Sequence, residues 1–596
     1  IHNGFNMAKP EDIKLKGCSW LLEQTSPDEI FVPEQLTEEH RLMDQTAREF
    51  VEKEVLSQND QLETKDWTLA RHLMRRCGEI GLLGTDVPEA YGGIELDKVS
   101  SALITSRLGQ SGSFSSAFGS QTGLVIMPIR TFGTEAQKRK YLPGLVSGET
   151  VGAYCLSESG SGSDALGART RATEQEDGTF VLNGEKMWIT NGGFADIYIV
   201  FAKIDGEKFT AFIVERSFDG VSSGKEEQKM GLLGSSTTPV LLQDVHVPAE
   251  NLLGEIGKGH KVAFNVLNYG RFKLGASTVG SAANAISESA RYAAERHQFG
   301  QSIATFGAIK HKLGEMTVRT YAIESMVFRT AGLIDASIKT ANPETNSALL
   351  EALEEFAIES SILKIAGSET LDYVFDENVQ IHGGNGYVRD YPAERHYRDS
   401  RVNRIFEGTN EINRLLIPSR LIKLSLTGRL PLIEIAQDLA EKIRTGELSV
   451  PRGEGPLQDQ LVAVELFKKV AIVMLGLVLK TYGDKISHQQ EILSLVADIL
   501  IDTYAAESTV LRALLATTTG GQEPILQSEA ARTYINDAYA RIDYATRSIL
   551  GALMQGETLR IFVTAFGNLL KVEPINTVAT RRSLATKTVE LGGYLF

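Results

Sequence analysis

The sequence predicts a mainly α-helical chain with one β domain inserted between helical ones, on three observations. From about Glu38 to Tyr141 apolar residues recur at helical spacing, as in Leu42, Ala47, Phe50, Val51 and Val55. Between about Gly152 and Gly259 the pattern changes to short β-rich runs. From about His260 long amphipathic stretches return and continue to Phe596. A chain of 596 residues also exceeds what one hydrophobic core usually supports, so several domains are expected.

In chain order, residues 1–37 form an N-terminal extension, and Ile1–Asn6, which precede Met7, carry no weight. Residues 38–151 form a helical N-terminal domain with breaks at Gly92-Gly93 and Gly133-Thr134. Residues 152–259 form the middle β domain. Here Phe180-Val181-Leu182 leads into Asn183-Gly184, a hairpin turn signal, and then into Lys186–Thr190. Further strands are expected at Asp196–Ala202, Phe209–Val214 and Pro239–Val247. Residues 260–429 form a helical bundle broken at Gly383-Gly384-Asn385-Gly386, and 430–596 a helical C-terminal domain rich in Ala and Leu. Leu430–Pro431 and Val450–Pro456 read as linkers.

Apolar residues make up 42% of the chain and charged ones 23%, ordinary for a soluble globular protein. A net charge of -15 argues against a nucleic-acid partner, which needs a basic surface, but leaves room for a phosphorylated small ligand. Cys18, Cys77 and Cys155 cannot build a disulfide framework and no pair has metal-ligand spacing, so no metal site and a reducing compartment are expected. Val470–Leu479, between Lys469 and Lys480, is too short for a membrane span and reads as a buried helix. The N-terminus lacks the marks of a secretory or transit signal.

Five segments carry candidate chemistry. Tyr154–Asp164 is a Gly/Ser-rich loop whose amides and hydroxyls can converge on an anion. It is not a dinucleotide fingerprint, because no helix follows directly. Trp188-Ile189-Thr190, at a strand end, offers a flat face beside a hydroxyl. Arg296–Gly300 combines a guanidinium clamp with the stacking surface of Phe299, and Gln380–Tyr387 is a glycine-rich turn open to close approach. In Ile405–Ile412, Glu407 follows two apolar residues and precedes a helix that Thr409 can cap. An apolar setting would raise its pKa toward that of a useful base. Singly, each segment also reads as a surface loop, a core Trp, a solvated charge or a helix start.

Together, in this order and spacing, they resemble the acyl-CoA dehydrogenase family from about Glu38 to Leu426. The C-terminal part, with Phe306-Gly307-Ala308-Ile309 and Arg389-Asp390-Tyr391-Pro392, is most similar to the very-long-chain branch. The resemblance implies Tyr154, Leu156, Ser157 and Ser163 along the flavin and phosphates of FAD, with Trp188 and Thr190 against the ring. Arg296, Phe299 and the turn with Gln380, Gly383 and Gly384 would reach the FAD of a partner subunit, and Thr409 and Glu411 would complete the flavin site. Ser163, Asn268 and Arg271 would border the acyl-CoA, Gly408 would lie beside its thioester, and Glu407 would be the catalytic base.

The implied activity is dehydrogenation of long-chain fatty acyl-CoA to trans-2-enoyl-CoA in fatty acid β-oxidation. Its electrons would pass to electron-transfer flavoprotein, and the enzyme would be a homodimer. The rivals are an acyl-CoA oxidase using oxygen and a non-catalytic assembly scaffold on the same fold. The location would be cytoplasmic in a bacterium, or the mitochondrial matrix or inner-membrane surface in a eukaryote. The apolar stripe of Leu432–Arg444 points to at most weak peripheral membrane contact, because Asp438, Glu441 and the net charge oppose anionic lipid. Two departures stand out: Ser157-Glu158-Ser159 lacks the family's proline, and Gly307 replaces a glutamine of many shorter-chain relatives, removing or replacing one flavin contact.

Overall fold

The computed structural model describes residues 16–341, 348–448, 453–519, 524–570 and 572–596. The N-terminal domain includes α1 (Glu38–Phe50), α2 (Lys98–Leu108) and α3 (Gly112–Gly119), which runs on into a π-helical stretch, Ser120–Ile126. Thr37 and Asp97 cap α1 and α2 by accepting from His40 N and Ser100 N. Two long helices, α4 (Gly259–Glu295) and α5 (Gly307–Thr340), pack with α6 (Ala357–His382), and α7 (Asn410–Leu426) follows. The C-terminal domain is helical: α8 (Leu432–Thr445), α9 (Gln458–Tyr482), α10 (Gln490–Thr519), α11 (Pro524–Leu553), α12 (Gly556–Leu569) and α13 (Thr577–Leu591).

The middle domain is one eight-stranded sheet. It runs through β1 (Gly152–Cys155), β2 (Arg171–Glu174), β3 (Phe180–Thr190), β4 (Ile197–Ile204), β5 (Lys208–Glu215), β6 (Val221–Ser223), β7 (Thr237–Val247) and β8 (Leu252–Leu253). Its order is β6-β7-β3-β2-β4-β5-β8, with β1 parallel to β4. The hairpin predicted at Asn183-Gly184 is not there. The chain turns earlier, at Asp177-Gly178, where Gln175 N donates to Thr179 O at 2.8 Å. β3 then runs straight through Asn183-Gly184, which form a bulge against β7. Asn183 exchanges side-chain bonds with Asp244, and a Cβ on Gly184 would lie 2.5 Å from Thr170 Oγ1. The glycine thus serves a close approach rather than a turn, because the strand finds partners on both sides of it.

Of the Val450–Pro456 linker, residues 450–452 lie outside the described residues. The apolar stripe of α8 faces inward: Leu432, Ala436, Leu439 and Ile443 are buried, and Gly476 of α9 leaves room for the Ala436 methyl. It is therefore not free to meet a membrane. No helix among the described residues is long and apolar enough to cross one. One core runs from Trp20 and Leu21 through α5 and α6 into Phe467, Val470 and Tyr504 of the C-terminal domain.

At the rim of that core Arg512 of α10 is fully buried. It donates to Glu34 of the N-terminal extension and Glu324 of α5, both at 2.8 Å, and lies 4.6 Å from the Tyr321 ring and 5.9 Å from that of Phe596. Removing one member of such a pair strands the others. Arg512→Ala should therefore lower stability by about 3–5 kcal/mol in urea unfolding. By contrast, Lys53→Ala at an exposed helical pair should leave it unchanged within the error of the unfolding measurement. Equal, small effects of the two would show that Arg512 holds nothing together.

Candidate active site

Glu407 lies in a turn that the chain makes only under constraint. Glu407 (φ 56) and Gly408 (φ 79) are both left-handed, reversing the chain before α7. For a glutamate this costs on the order of 1–3 kcal/mol. Donors on three helices hold the turn. Arg271 Nε of α4 donates to Glu407 O at 3.1 Å, and Lys364 Nζ of α6 to Gly408 O at 2.7 Å. Asn413 Nδ2 of α7 donates to Gly408 O at 2.8 Å and Thr409 O at 3.0 Å. Thr409 caps α7, its Oγ1 accepting from Ile412 N at 3.3 Å, as expected.

The Glu407 carboxyl is pressed against α4 at Gly270, where an added Cβ would come within 2.8 Å of both its oxygens. Only a glycine fits. The residue as a whole is half-buried, yet Oε2 is shut off from solvent and has no hydrogen-bond partner. Desolvation pushes its pKa up to about 7, against the opposing pull of Arg271 and Lys364. Burial draws Lys364 down to about 7. Arg271 is buried and its Nη1 donates to Asn268 Oδ1 at 3.1 Å.

Glu407 opens on a cleft of about 1040 Å³, counted out to its open mouth. One wall is a single face of α4 carrying Gly270, Lys273, Leu274 and Ser277. The facing wall comes from α2, α3 and the π-helical stretch, with Thr190 of β3 also lining it.

Of the loop residues, Tyr154 lies on β1 with its hydroxyl buried and without a partner. Leu156 O accepts from Lys186 Nζ at 3.3 Å and Ser157 O from Met187 N at 2.9 Å, while Ser163 is exposed. Where the proline is missing, Glu158 braces the loop: it pairs with buried Lys186 at 2.7 Å and accepts from Thr170 Oγ1 at 2.6 Å. A second bulge in β3, between Lys186 and Ile189, gives Trp188 φ 58 and leaves it 57% exposed, a free aromatic face near the end of the strand.

The structure does not bring all the predicted site residues together. Asn268, Arg271, Glu407, Gly408 and Thr409 cluster, whereas Arg296 lies beyond the far end of α4. Twenty-five residues separate it from Arg271, about 37 Å along the helix. There Phe299 (φ 52) and Gly300 (φ 79) form a hairpin tip, with Phe299 94% exposed. Gln380, Gly383 and Gly384 lie at this same end and are exposed, since Tyr292 stacks on His382 at 4.1 Å. The space beside Gly307 is taken by Arg582 of α13, 3.1 Å from where a Cβ would sit. Glu411 is exposed in the first turn of α7.

Lys364, Asn413 and Lys186 were missed. Lys364 left a trace, a lone charge in the apolar run Ile362-Leu363-Lys364-Ile365, and Lys186 another, a charge at an inward strand position. Asn413 left none.

Family models described as the acyl-CoA dehydrogenase N-terminal, middle and C-terminal domains match residues 37–149, 153–245 and 257–422, and a further C-terminal-domain model matches 466–567. The chain is 46% identical over 593 residues to a probable acyl-CoA dehydrogenase of Bacillus subtilis (strain 168), covering 99% of this chain and 100% of the relative. It is 35% identical over 577 residues to the mitochondrial very long-chain specific acyl-CoA dehydrogenase of Bos taurus, covering 90% and 85%. Among solved structures, an acyl-CoA dehydrogenase complexed with FAD from Bacillus anthracis superposes with a TM-score of 0.96 at 46% identity, covering 98% and 100%. With these matches along the chain, and a glutamate held in a strained turn at the end of a cleft, the protein belongs to the acyl-CoA dehydrogenase family of oxidoreductases.

Proposed function

We propose that the protein dehydrogenates long-chain fatty acyl-CoA to trans-2-enoyl-CoA in fatty acid β-oxidation, with Glu407 as base, FAD as cofactor and electron-transfer flavoprotein as electron acceptor. The observation that carries this reading is that Glu407 lines a cleft while its Oε2 is desolvated and unpartnered. A carboxylate in that state is basic enough, near pH 7, to take a proton from the carbon next to a thioester carbonyl. The cleft follows α4 from Gly270 to Ser281, eleven residues or about 16 Å. At about 1.2 Å per bond that is room for roughly 13 bonds of extended chain. Gly119, with nothing near a Cβ, helps keep it open.

The residues present fit FAD. Thr190 lines the cleft, and Trp188, two residues before it, has a free face; the Tyr154 hydroxyl is buried without a partner, Leu156, Ser157 and Ser163 follow it in the chain, and Thr409 and Glu411 follow Glu407. FAD supplies, when bound, the acceptor for the hydride that leaves the neighbouring carbon. The chain's part is to take up the proton on the Glu407 carboxylate, to keep water off its Oε2 and to hold the turn by Arg271, Lys364 and Asn413. The Glu407 amide has no acceptor among the described residues and would serve the thioester oxygen, where one such donor is worth about 3–4 kcal/mol. Gly408 lies beside that position, and Ser163, Asn268 and Arg271 border the CoA moiety.

Because Arg296 lies about 37 Å along α4 from Arg271, and Gln380 about 24 Å along α6 from Lys364, these residues, with Phe299, Gly383 and Gly384, serve the FAD of a second protomer. The assembly is a homodimer, with the C-terminal domain covering the face that would otherwise pair dimers. The full-length match to a bacterial relative supports a cytoplasmic enzyme.

Glu407→Gln should slow anaerobic flavin bleaching by acyl-CoA about 10³-fold or more, with FAD and acyl-CoA still bound. Bleaching within about tenfold of wild type would put the base elsewhere. In wild type, kcat/KM should rise with unit slope as pH increases toward about 7 and level off above it, since only the ionised carboxylate accepts the proton. A profile that is flat from pH 5 to 8 would contradict the raised pKa. Arg296→Ala should lose FAD on gel filtration while the bleaching rate of the remaining holoenzyme holds. Full FAD retention, or a tetramer in light scattering, would refute the two-protomer site.

A further inference from the structure

The cleft that reaches Glu407 is more polar than an aliphatic chain requires. Thr105 and Ser120 line it from facing elements, are 6% and 4% exposed, and each has a buried hydroxyl with no hydrogen-bond partner. Lys273 lines it from α4 and is 6% exposed. Its Nζ donates to Thr122 Oγ1 at 3.0 Å, stands 3.7 Å from Asp86 Oδ2, and lies over the rings of Tyr269 and Phe118 at 5.2 and 5.6 Å. An ammonium has three protons to donate, and Thr122 Oγ1 takes one by a hydrogen bond. Buried polar groups without partners are rare, and a cleft that collects two of them beside an ammonium is built for a ligand that supplies the missing bonds.

We propose that this cleft selects acyl chains bearing a hydroxyl partway along the chain, recognised by Thr105, Ser120 and Lys273. The inference rests on the acyl-CoA dehydrogenase reading above and names its preferred substrate class. The position follows from α4. Lys273 and Ser277 lie three and seven residues past Gly270, about 5–10 Å along the helix. At about 1.2 Å per bond the oxygen belongs roughly four to nine bonds from the reacting carbon. A methylene at that point leaves both hydroxyls dry and unpaired, whereas an alcohol there can donate to one and accept from another. Asp86 and Thr122 hold Lys273 at the wall, and Asp86 keeps a second lysine, Lys98, as its own partner.

The test compares FAD-loaded full-length protein on ω-hydroxyacyl-CoAs and unsubstituted acyl-CoAs of about six to twelve carbons, scored as kcat/KM. The ratio of hydroxylated to plain substrate should peak at intermediate length, at about five- to tenfold. Thr105→Val and Ser120→Ala, which break no existing hydrogen bond, should bring that ratio to about one without lowering the Tm. Lys273→Met should also bring the ratio to about one, with a loss of Tm because it takes a partner from buried Asp86. A ratio at or below one at every length, or a ratio that survives all three substitutions, overturns the proposal while leaving the dehydrogenase reading intact. Failure of both substrate sets to bleach the flavin removes both.

Discussion

The organising constraint is the need to keep a carboxylate away from water and from any partner, within reach of a substrate carbon. Removing a carboxylate from water is costly, and it stays unpaired only if the surroundings leave it no alternative. Here the backbone does the confining. The left-handed Glu407 and Gly408 aim the side chain at α4, and Gly270 leaves just enough room for it. Arg271 and Lys364 are close enough to bias its charge, yet they spend their hydrogen bonds on the carbonyls of Glu407 and Gly408. The same cations thus hold the turn without neutralising the base.

That arrangement requires three helices from distant parts of the chain to keep their spacing. Close packing of α4 on α6 supplies much of it, with Gly275 of α4 set against Leu363 and Gly367 of α6 against Thr278. Buried charges add direction. Asp86 of the N-terminal domain meets Lys98 of α2 and Tyr269 and Lys273 of α4, and its pKa is held below the ordinary carboxylate range by these two lysines, which more than offset its burial. Arg512 does the equivalent at the C-terminal domain. Such groups give little net stability over an apolar filling, but they tolerate only one docking geometry.

The middle domain solves a different problem, presenting an aromatic face without burying it. A regular strand would alternate Trp188 into or out of the sheet with its neighbours. The bulge between Lys186 and Ile189 instead turns Trp188 outward while Lys186 stays inside, paired with Glu158. One ion pair therefore ties the Gly/Ser loop to the strand that carries the tryptophan. In this loop the brace stands in for the rigidity a proline would have lent.

Taken alone, the sequence determined the order of helical and β regions, the break at Gly383–Gly386 and the turn that brings Glu407 to the start of a Thr409-capped helix. These are written in local signals: periodicity, caps and glycines, which act over a few residues. It did not decide how those signals would be used. Asn183-Gly184 has the dihedral freedom of a hairpin, and only β7 alongside makes it a bulge. The stripe on Leu432–Ile443 has the same pattern whether it meets lipid or α9. The roles of Gly270, Lys273, Lys364 and Arg512 depend on partners up to hundreds of residues away, and the separation of Arg296 from Glu407 depends on α4 being straight and long. Burial, close approach and charge pairing are properties of neighbours in space, and tertiary packing alone chooses those neighbours.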